Sequence, residues 1–291
     1  MKKRKGIILA GGNGSRLYPA TKGISKQLIP LYDKPMIYYP LSVLMLAGIR
    51  EIAIIIKEED YNNFFSLLGD GSQWGLSIEY IFQPSPDGLA QAYILAAEFL
   101  NGAPSAMILG DNIFYGSGFG GQLDKANESD RASIFCYQVT DPASYGVVEF
   151  ASDGSINSLQ EKPEIPPSDY VVTGLYFLDS TASEKALSIN PSKRGELEIT
   201  CLLNMYIDEK KLDYVDLGRG FTWLDTGTNE NLYEATSFIR TQQIRQGFII
   251  SCLEEISYKK GWISKVDLMN ISKRHKLNNY GKYLKSITKL T

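Results

Sequence analysis

Histidine is almost absent: His275 is the only one in 291 residues, and it lies in a Lys/Arg-rich stretch near the end. A lone imidazole excludes His-pair metal sites, and no Ser/His or Cys/His pairing marks an activated enzyme nucleophile. Cysteine is sparse as well. Cys136, Cys201 and Cys252 are odd in number and far apart, which reads as reduced, mostly buried thiols of a cytoplasmic protein rather than a disulfide framework. No stretch approaches the ~20 consecutive apolar residues of a membrane span. Lys2-Lys3-Arg4-Lys5 has the charge of a signal-peptide start, but the apolar run behind it ends at Ala10, short of the roughly 7–15 residues of an h-region. Charge of either sign is in little excess. With a net charge of −3, no bulk field favours nucleic acid. A phosphate monoester carries roughly −1.5 to −2 at neutral pH, so phosphate ligands must be held by local cations and a metal.

Two familiar phosphate loops are also missing. Leu9-Ala10-Gly11-Gly12-Asn13-Gly14-Ser15-Arg16 follows a short apolar run and is rich in glycine, yet no Gly-Lys-Ser/Thr stands at P-loop spacing. A dinucleotide fingerprint starting at Gly12 needs Gly or Ala at 17, where Leu17 stands, and this disfavours a hydride-transferring dehydrogenase. What remains is a strand followed by a loop in which three glycines within four residues let successive N–H groups face an anion. Arg16 and Lys26 add cations nearby. The chemistry suggested is capture of a polyphosphate.

Apolar runs at 51–57 and 105–109 read as strands buried on both faces, and 77–82 as a further strand. Residues 36–47, 61–68 and 88–100 read as helices, with Pro40 delaying or kinking the first. This alternation predicts an α/β fold built on a right-handed, Rossmann-like, mostly parallel sheet flanked by helices. Ligands of such sheets sit beyond the carboxyl ends of the strands, which groups Gly11–Arg16, Gln83–Gly88 and Asp111–Asn112 on one rim. From about Tyr145 the pattern changes to strands at 145–150 and 156–160 around a Ser152-Asp153-Gly154 turn, then strands at 171–178, 212–217 and 221–224. A helix capped by Thr228 or Asn229 runs to about Arg245, stopped by Gly247, and the last forty residues read as a small helical extension. Asp111 and Asp225 each end an apolar strand-like run; they read either as turn or cap residues or, if they converge, as ligands of a hard cation such as Mg²⁺.

The segments Gly11–Pro19, Ser25–Pro30, Lys34–Leu41, Gln83…Gly88, Gly110-Asp111-Asn112, Tyr145-Gly146 and Glu161-Lys162-Pro163 together resemble the signature of the sugar-1-phosphate nucleotidyltransferases. The likeness continues through Arg194–Thr200, Trp223–Gly227 and Asn278–Gly281, nearly the whole chain and in family order. It implies Mg²⁺-dependent transfer of a nucleotidyl group from dTTP to α-D-glucose 1-phosphate, giving dTDP-glucose and pyrophosphate, the first step of dTDP-sugar (dTDP-L-rhamnose) synthesis. It implies one domain, with a nucleotide-binding half over about 1–140, a sugar-phosphate lobe over about 141–247 and the extension beyond. By the same resemblance Gly11, Gly12, Gly14, Ser15, Arg16, Gln27, Gln83, Gly88 and Asn112 serve the nucleotide. Arg16, Lys26 and Lys162 are catalytic, and Asp111 and Asp225 hold the metal. Tyr145, Gly146, Glu161, Lys162 and Val172 form the sugar-phosphate pocket. A cytoplasmic homotetramer without nucleic-acid or membrane partners is implied, with end-product inhibition at an inter-subunit site. Ser15 replaces the usual Thr, and Ser117 a common His, which touches regulation rather than catalysis. The alternatives are a UTP-using enzyme of the same chemistry and a non-catalytic nucleotide-sugar-binding regulatory subunit.

Overall fold

The computed structural model describes residues 2–290, the last of them by its backbone alone. In chain order the strands are β1 (Lys5–Leu9), β2 (Pro30–Leu31), β3 (Lys34–Pro35), β4 (Glu51–Ile56), β5 (Ser77–Phe82), β6 (Ser105–Leu109) and β7 (Asn112–Tyr115). They continue with β8 (Ala132–Gln138), β9 (Gly146–Phe150), β10 (Ile156–Glu161), β11 (Tyr170–Leu178), β12 (Leu212–Asp216) and β13 (Thr222–Asp225). The helices are α1 (Tyr38–Leu46), α2 (Tyr61–Leu68), α3 (Gln91–Leu95), α4 (Ala97–Leu100), α5 (Phe119–Glu128) and α6 (Ala182–Leu187). After them come α7 (Ile199–Asp208), α8 (Asn229–Gln246), α9 (Leu253–Lys259), α10 (Lys265–Arg274) and α11 (Asn279–Leu290).

The runs that are apolar throughout become strands covered on both faces. β1 lies between β6 and β4, parallel to both, and β5 continues the parallel array beyond β4. Side chains alternate along each strand. Ile8, Ile54 and Ile108 enter one core, against α1 and α2, while Ile7, Ile55 and Met107 enter the other, against α3 and α7. Each fully buried Ile contributes about 1.5–3 kcal/mol of burial free energy, which explains why no polar residue interrupts these strands.

Helix α1 starts two residues later than its apolar run suggests, and the Met36 and Ile37 N–H groups donate to the Ile29 and Gln27 carbonyls. Pro40 then falls in the first turn, where no intrahelical N–H is needed. The expected helix over 88–100 begins only at Gln91 and is interrupted at Ala96. Its first residues pair with another segment: Leu197 N–H donates to Asp87 O and Ala90 N–H to Leu197 O, at 2.7 and 3.1 Å. Thr228 caps α8 as the sequence suggests, accepting from Asn231 N–H, and Gly247 ends it with φ 72°.

β11 joins the two halves of the sheet and forks it. On one edge it pairs antiparallel with β8 along most of its length, and β12 extends the sheet parallel to β8. On the other edge its residues 175–178 pair with β6, whereas Val171 pairs with Val147 of β9. Between them, at Thr173-Gly174, that edge has no strand partner, and the pairing with β8 is bulged over the same residues. Strand β7 leaves the end of β6 and pairs antiparallel with β13 in a separate ribbon. α8 covers this ribbon, with Ile239 and Ala235 packing around Ile113, Tyr39 and Leu31. α9, α10 and α11 close a small core of their own around Cys252, Leu268, Leu284 and Ile287.

Candidate active site

The fork in the sheet opens into a cavity of about 360 Å³. Because β1 and β6 are parallel and in register at Leu9 and Leu109, the Gly-rich loop and Gly110-Asp111-Asn112 rise side by side from the same rim. Gln83 follows β5 on that rim. Of the residues expected from the sequence, all line this one cavity except Gly11, Gly14, Ser15 and Lys26. Those four stand just behind the wall or in the loop leading to it. A Cβ on Gly11 would lie 2.1 Å from Gln83 Oε1, so only glycine lets Gln83 fold over the loop. Gly14 adopts φ +57° and Ser15 is exposed at the start of a single 3₁₀ turn.

The two aspartates converge, and the cause is a strand register that local sequence does not reveal. β13 pairs with β7 so that Asp225 faces Asn112, one residue from Asp111. Thr226 fixes the pairing by donating its hydroxyl and its N–H to Asp111 O at 2.9 and 3.2 Å. Lys26, only 6% exposed, puts its Nζ 2.6 Å from Asp111 Oδ2. Burial works against the Asp111 carboxylate, but the Lys26 ammonium and the Asn112 amide outweigh it and hold its pKa below the usual range. Asp225 goes the other way: burial and the neighbouring Asp111 charge push it up to about 6, against the pull of Lys26 and Arg16. Among the described residues no three or more His, Cys, Asp or Glu gather into a metal cage. Two carboxylates at one end of a cavity are nevertheless the donor set that Mg²⁺ combines with phosphate oxygens and water.

The Arg16 guanidinium lies over Gly227, where a Cβ would approach it to 2.8 Å, and it makes no hydrogen bond or ion pair with the described residues. Lys162 is likewise unpaired and stands at φ 44°, a left-handed conformation that costs a non-glycine residue about 1 kcal/mol or more. Its N–H is fixed to Tyr145 O at 2.9 Å. Two free cations therefore face a cavity that holds two carboxylates. At one end, Gln83 donates Nε2 to Gln91 Oε1 at 2.7 Å while its own Oε1 is buried without a partner. Gly88, at φ +115°, brings its backbone so close to Leu197 that a Cβ would lie 2.4 Å from the Leu197 oxygen. Gln27 is buried behind the rim and accepts from Ser25 Oγ at 2.9 Å.

At the opposite end, Glu161 closes β10 and its pKa is raised, first by burial and then by Glu198, against Lys162, Arg194 and Thr200. Thr200 Oγ1 donates to Glu161 Oε2 at 3.4 Å, and Arg194 bridges Glu161 and Glu198 at 3.7 and 3.4 Å. Gly146 leaves room for this pair, since a Cβ there would meet Thr200 at 2.9 Å and Glu161 at 3.3 Å. Tyr145 packs edge-on against Trp223 with 5.3 Å between ring centres. Val172 of β11 completes the wall.

Several lining residues carried no sequence assignment. Tyr176, Gly174, Trp223, Glu198 and Thr200 reach the cavity only through long-range pairing, although Arg194–Thr200 and Trp223–Gly227 were visible as family-like stretches. The Asn112 side chain is 2% exposed and already engaged: its Oδ1 accepts from Trp223 Nε1 at 2.7 Å and from Gly174 N–H at 3.2 Å, and its Nδ2 donates to Asp111 Oδ1 at 2.9 Å.

Residues 5–242 match the model of the nucleotidyl transferase family. Over 290 residues the chain is 55% identical to the glucose-1-phosphate thymidylyltransferase of Xanthomonas campestris pv. campestris, spanning 99% of this chain and 98% of that one. The enzyme of the same name from Neisseria meningitidis is 54% identical over 98% and 99%, and that of Mycobacterium tuberculosis 48% over 96% and 97%. Among solved structures, a Bacillus anthracis protein described as a glucose-1-phosphate thymidylyltransferase, in complex with a sucrose, superposes with TM-score 0.75 at 38% identity, covering 81% of this chain and 95% of its own. A UDP-glucose pyrophosphorylase complexed with UDP-glucose shares the fold at TM-score 0.72 and 24% identity, covering 83% of this chain and all of its own. The chain belongs to the nucleotidyl transferase family and, within it, to the glucose-1-phosphate thymidylyltransferases.

Proposed function

We propose that the protein transfers the thymidylyl group of dTTP to α-D-glucose 1-phosphate, releasing pyrophosphate. The observation that carries this reading is one cavity with two free cations and a carboxylate pair between an amide-lined end and a hydroxyl-binding end. A sugar-phosphate oxygen attacks the α-phosphorus in line; a new P–O bond forms, the bond to the β-phosphate oxygen breaks, and pyrophosphate leaves with that electron pair. The nucleophile is already anionic, so no general base is required, in keeping with the single, distant histidine.

The residues fit Mg²⁺. Asp111 and Asp225 would hold it, and when bound it would draw charge from the phosphate oxygens. Lys26 and Arg16 hold the triphosphate, Arg16 on the departing β- and γ-phosphates. Gly12 and its loop supply backbone N–H groups. Lys162 pairs with the sugar's phosphate and positions it for attack. Glu161 accepts from sugar hydroxyls, with Tyr145, Gly146 and Val172 closing the pocket. The unpartnered Gln83 Oε1 suits the N3–H of thymine, and the Gly88 backbone edges the same base. Uracil presents the same N3–H, so preference over UTP rests on the thymine methyl, worth about 1–3 kcal/mol, and on the 2′-hydroxyl that UTP carries and dTTP lacks.

A homotetramer in the cytoplasm, supplying dTDP-sugars such as dTDP-L-rhamnose, belongs to the same proposal; Tyr233 and Ile244, 72% and 60% exposed on α8, offer apolar surface for assembly. Pyrophosphate release with glucose 1-phosphate, compared across dTTP, UTP, CTP, ATP and GTP with and without Mg²⁺, tests the reading. Metal-dependent release led by dTTP is expected. A clear lead by UTP would overturn the base assignment, and nucleotide binding without release would favour a regulatory subunit.

A further inference from the structure

The Asn112 amide has two ends, and which end faces Asp111 decides whether that carboxylate is held by a donor or repelled by an acceptor. We infer that Trp223 is a positioning residue: its indole N–H fixes the flip of the Asn112 amide and, through it, the aim of Asp111. The inference rests on the reading of Asp111 as a metal ligand.

The geometry leaves the amide one arrangement. Trp223 Nε1 at 2.7 Å and Gly174 N–H at 3.2 Å both donate, so the amide oxygen must face them. The NH₂ end then faces Asp111 Oδ1 at 2.9 Å. Turned over, the NH₂ would meet two N–H donors and the oxygen would meet a carboxylate. The environment makes this consequential, because Asn112 is 2% and Trp223 8% exposed, and no solvent replaces a lost partner. Residue 174 has to be glycine for the same purpose: a Cβ there would lie 2.7 Å from Asn112 Oδ1. Asp111 Oδ2 is held by Lys26, so the amide and the ammonium together fix both carboxylate oxygens. Outer partners of this kind orient metal ligands and are worth about 10–100-fold in metal affinity or activity.

Trp223 also packs edge-on against Tyr145 at the sugar end. A ring that only walled the sugar would make different predictions, and this allows a clean test. Trp223→Phe keeps an aromatic ring and removes the N–H. Mn²⁺ binding to the protein in complex with dTTP, without sugar phosphate, followed by electron paramagnetic resonance, is expected to weaken about tenfold. kcat should fall with it, while the KM for glucose 1-phosphate stays within about twofold. In an Asn112→Asp background both ends of the side chain accept, so there is no flip to set; adding Trp223→Phe should then change Mn²⁺ affinity by less than about twofold. Unchanged Mn²⁺ binding with a raised KM for glucose 1-phosphate would overturn the inference and leave Trp223 as a wall of the sugar pocket. An equal loss in both backgrounds would also overturn it. Wild-type protein that binds no Mn²⁺ would overturn the metal reading itself, and this inference with it.

Discussion

Replacing Lys26 with Met keeps much of the side chain's length and removes its charge. In the native protein the ammonium sits 2.6 Å from Asp111 Oδ2 with 6% exposure, beside a carboxylate that retains 22%. Losing one partner of a fully enclosed pair costs about 3–5 kcal/mol; the residual exposure of Asp111 brings the expectation to about 2–3 kcal/mol. The pH dependence has a definite sign. Asp111 has a depressed pKa, so its contribution is present above the ordinary carboxylate range and is lost as pH falls through its folded pKa. Urea unfolding at neutral pH should therefore show the full gap between wild type and Lys26→Met, and the gap should close on acidification. Turnover should drop by roughly 10²–10³, the usual effect of removing one preorganised charge donor. A stability gap that persists unchanged below the carboxylate range, or near-normal pyrophosphate release, would refute this account of Lys26.

Asp225→Asn should do the opposite to stability. Its carboxyl is pushed up to about 6 by burial and by Asp111, so ionised Asp225 weighs against the metal-free fold above that pH and not below the ordinary carboxylate range. The variant should be more stable than wild type by about 1–2 kcal/mol near pH 8, the gain vanishing near pH 4, with turnover lost; thermal melts at both pH values check it. Arg16→Ala, which breaks no hydrogen bond or ion pair with the described residues, should fold normally and lose roughly 10²–10³ in kcat; near-normal turnover would remove Arg16 from the catalytic set. Gly88→Ala places a Cβ 2.4 Å from the Leu197 oxygen at a φ of +115° and should lower nucleotide affinity at least tenfold, or roughly 1.4 kcal/mol, read by titration with dTTP.

The first half of the chain was legible because its information is local. Continuous apolar runs announce β4 and β6, and the rule that ligands sit beyond parallel strand ends gathers Arg16, Gln83 and Asp111 without any knowledge of contacts. The convergence of Asp111 and Asp225 was not legible from chemistry alone, because it depends on the β7–β13 register between segments more than a hundred residues apart. The helix over 88–100 was misjudged at its start for a related reason: Ala- and Leu-rich composition favours helix, but pairing with Leu197 holds residues 87–90 in another conformation. Strand β8 and helices α5 and α7 went unassigned, and with α7 the Glu198–Thr200 side of the cavity. The family resemblance supplied site residues there that periodicity did not.

The fork at Thr173-Gly174 also sets a length. One strand carries the contacts to β6 at residues 175–178 and to β9 at Val171, so the Asp111 end and the Glu161 end of the cavity are spaced by a few residues of the same backbone, at about 3.3 Å each. Adding or deleting one residue in this short interval would shift one end against the other by about a bond-breaking distance and turn every later side chain to the wrong face. The Ser152-Asp153-Gly154 turn can vary in length without such an effect. Among relatives that keep the reaction, insertions should therefore collect at the hairpin tip and stay out of β11, whatever sugar or base each one takes.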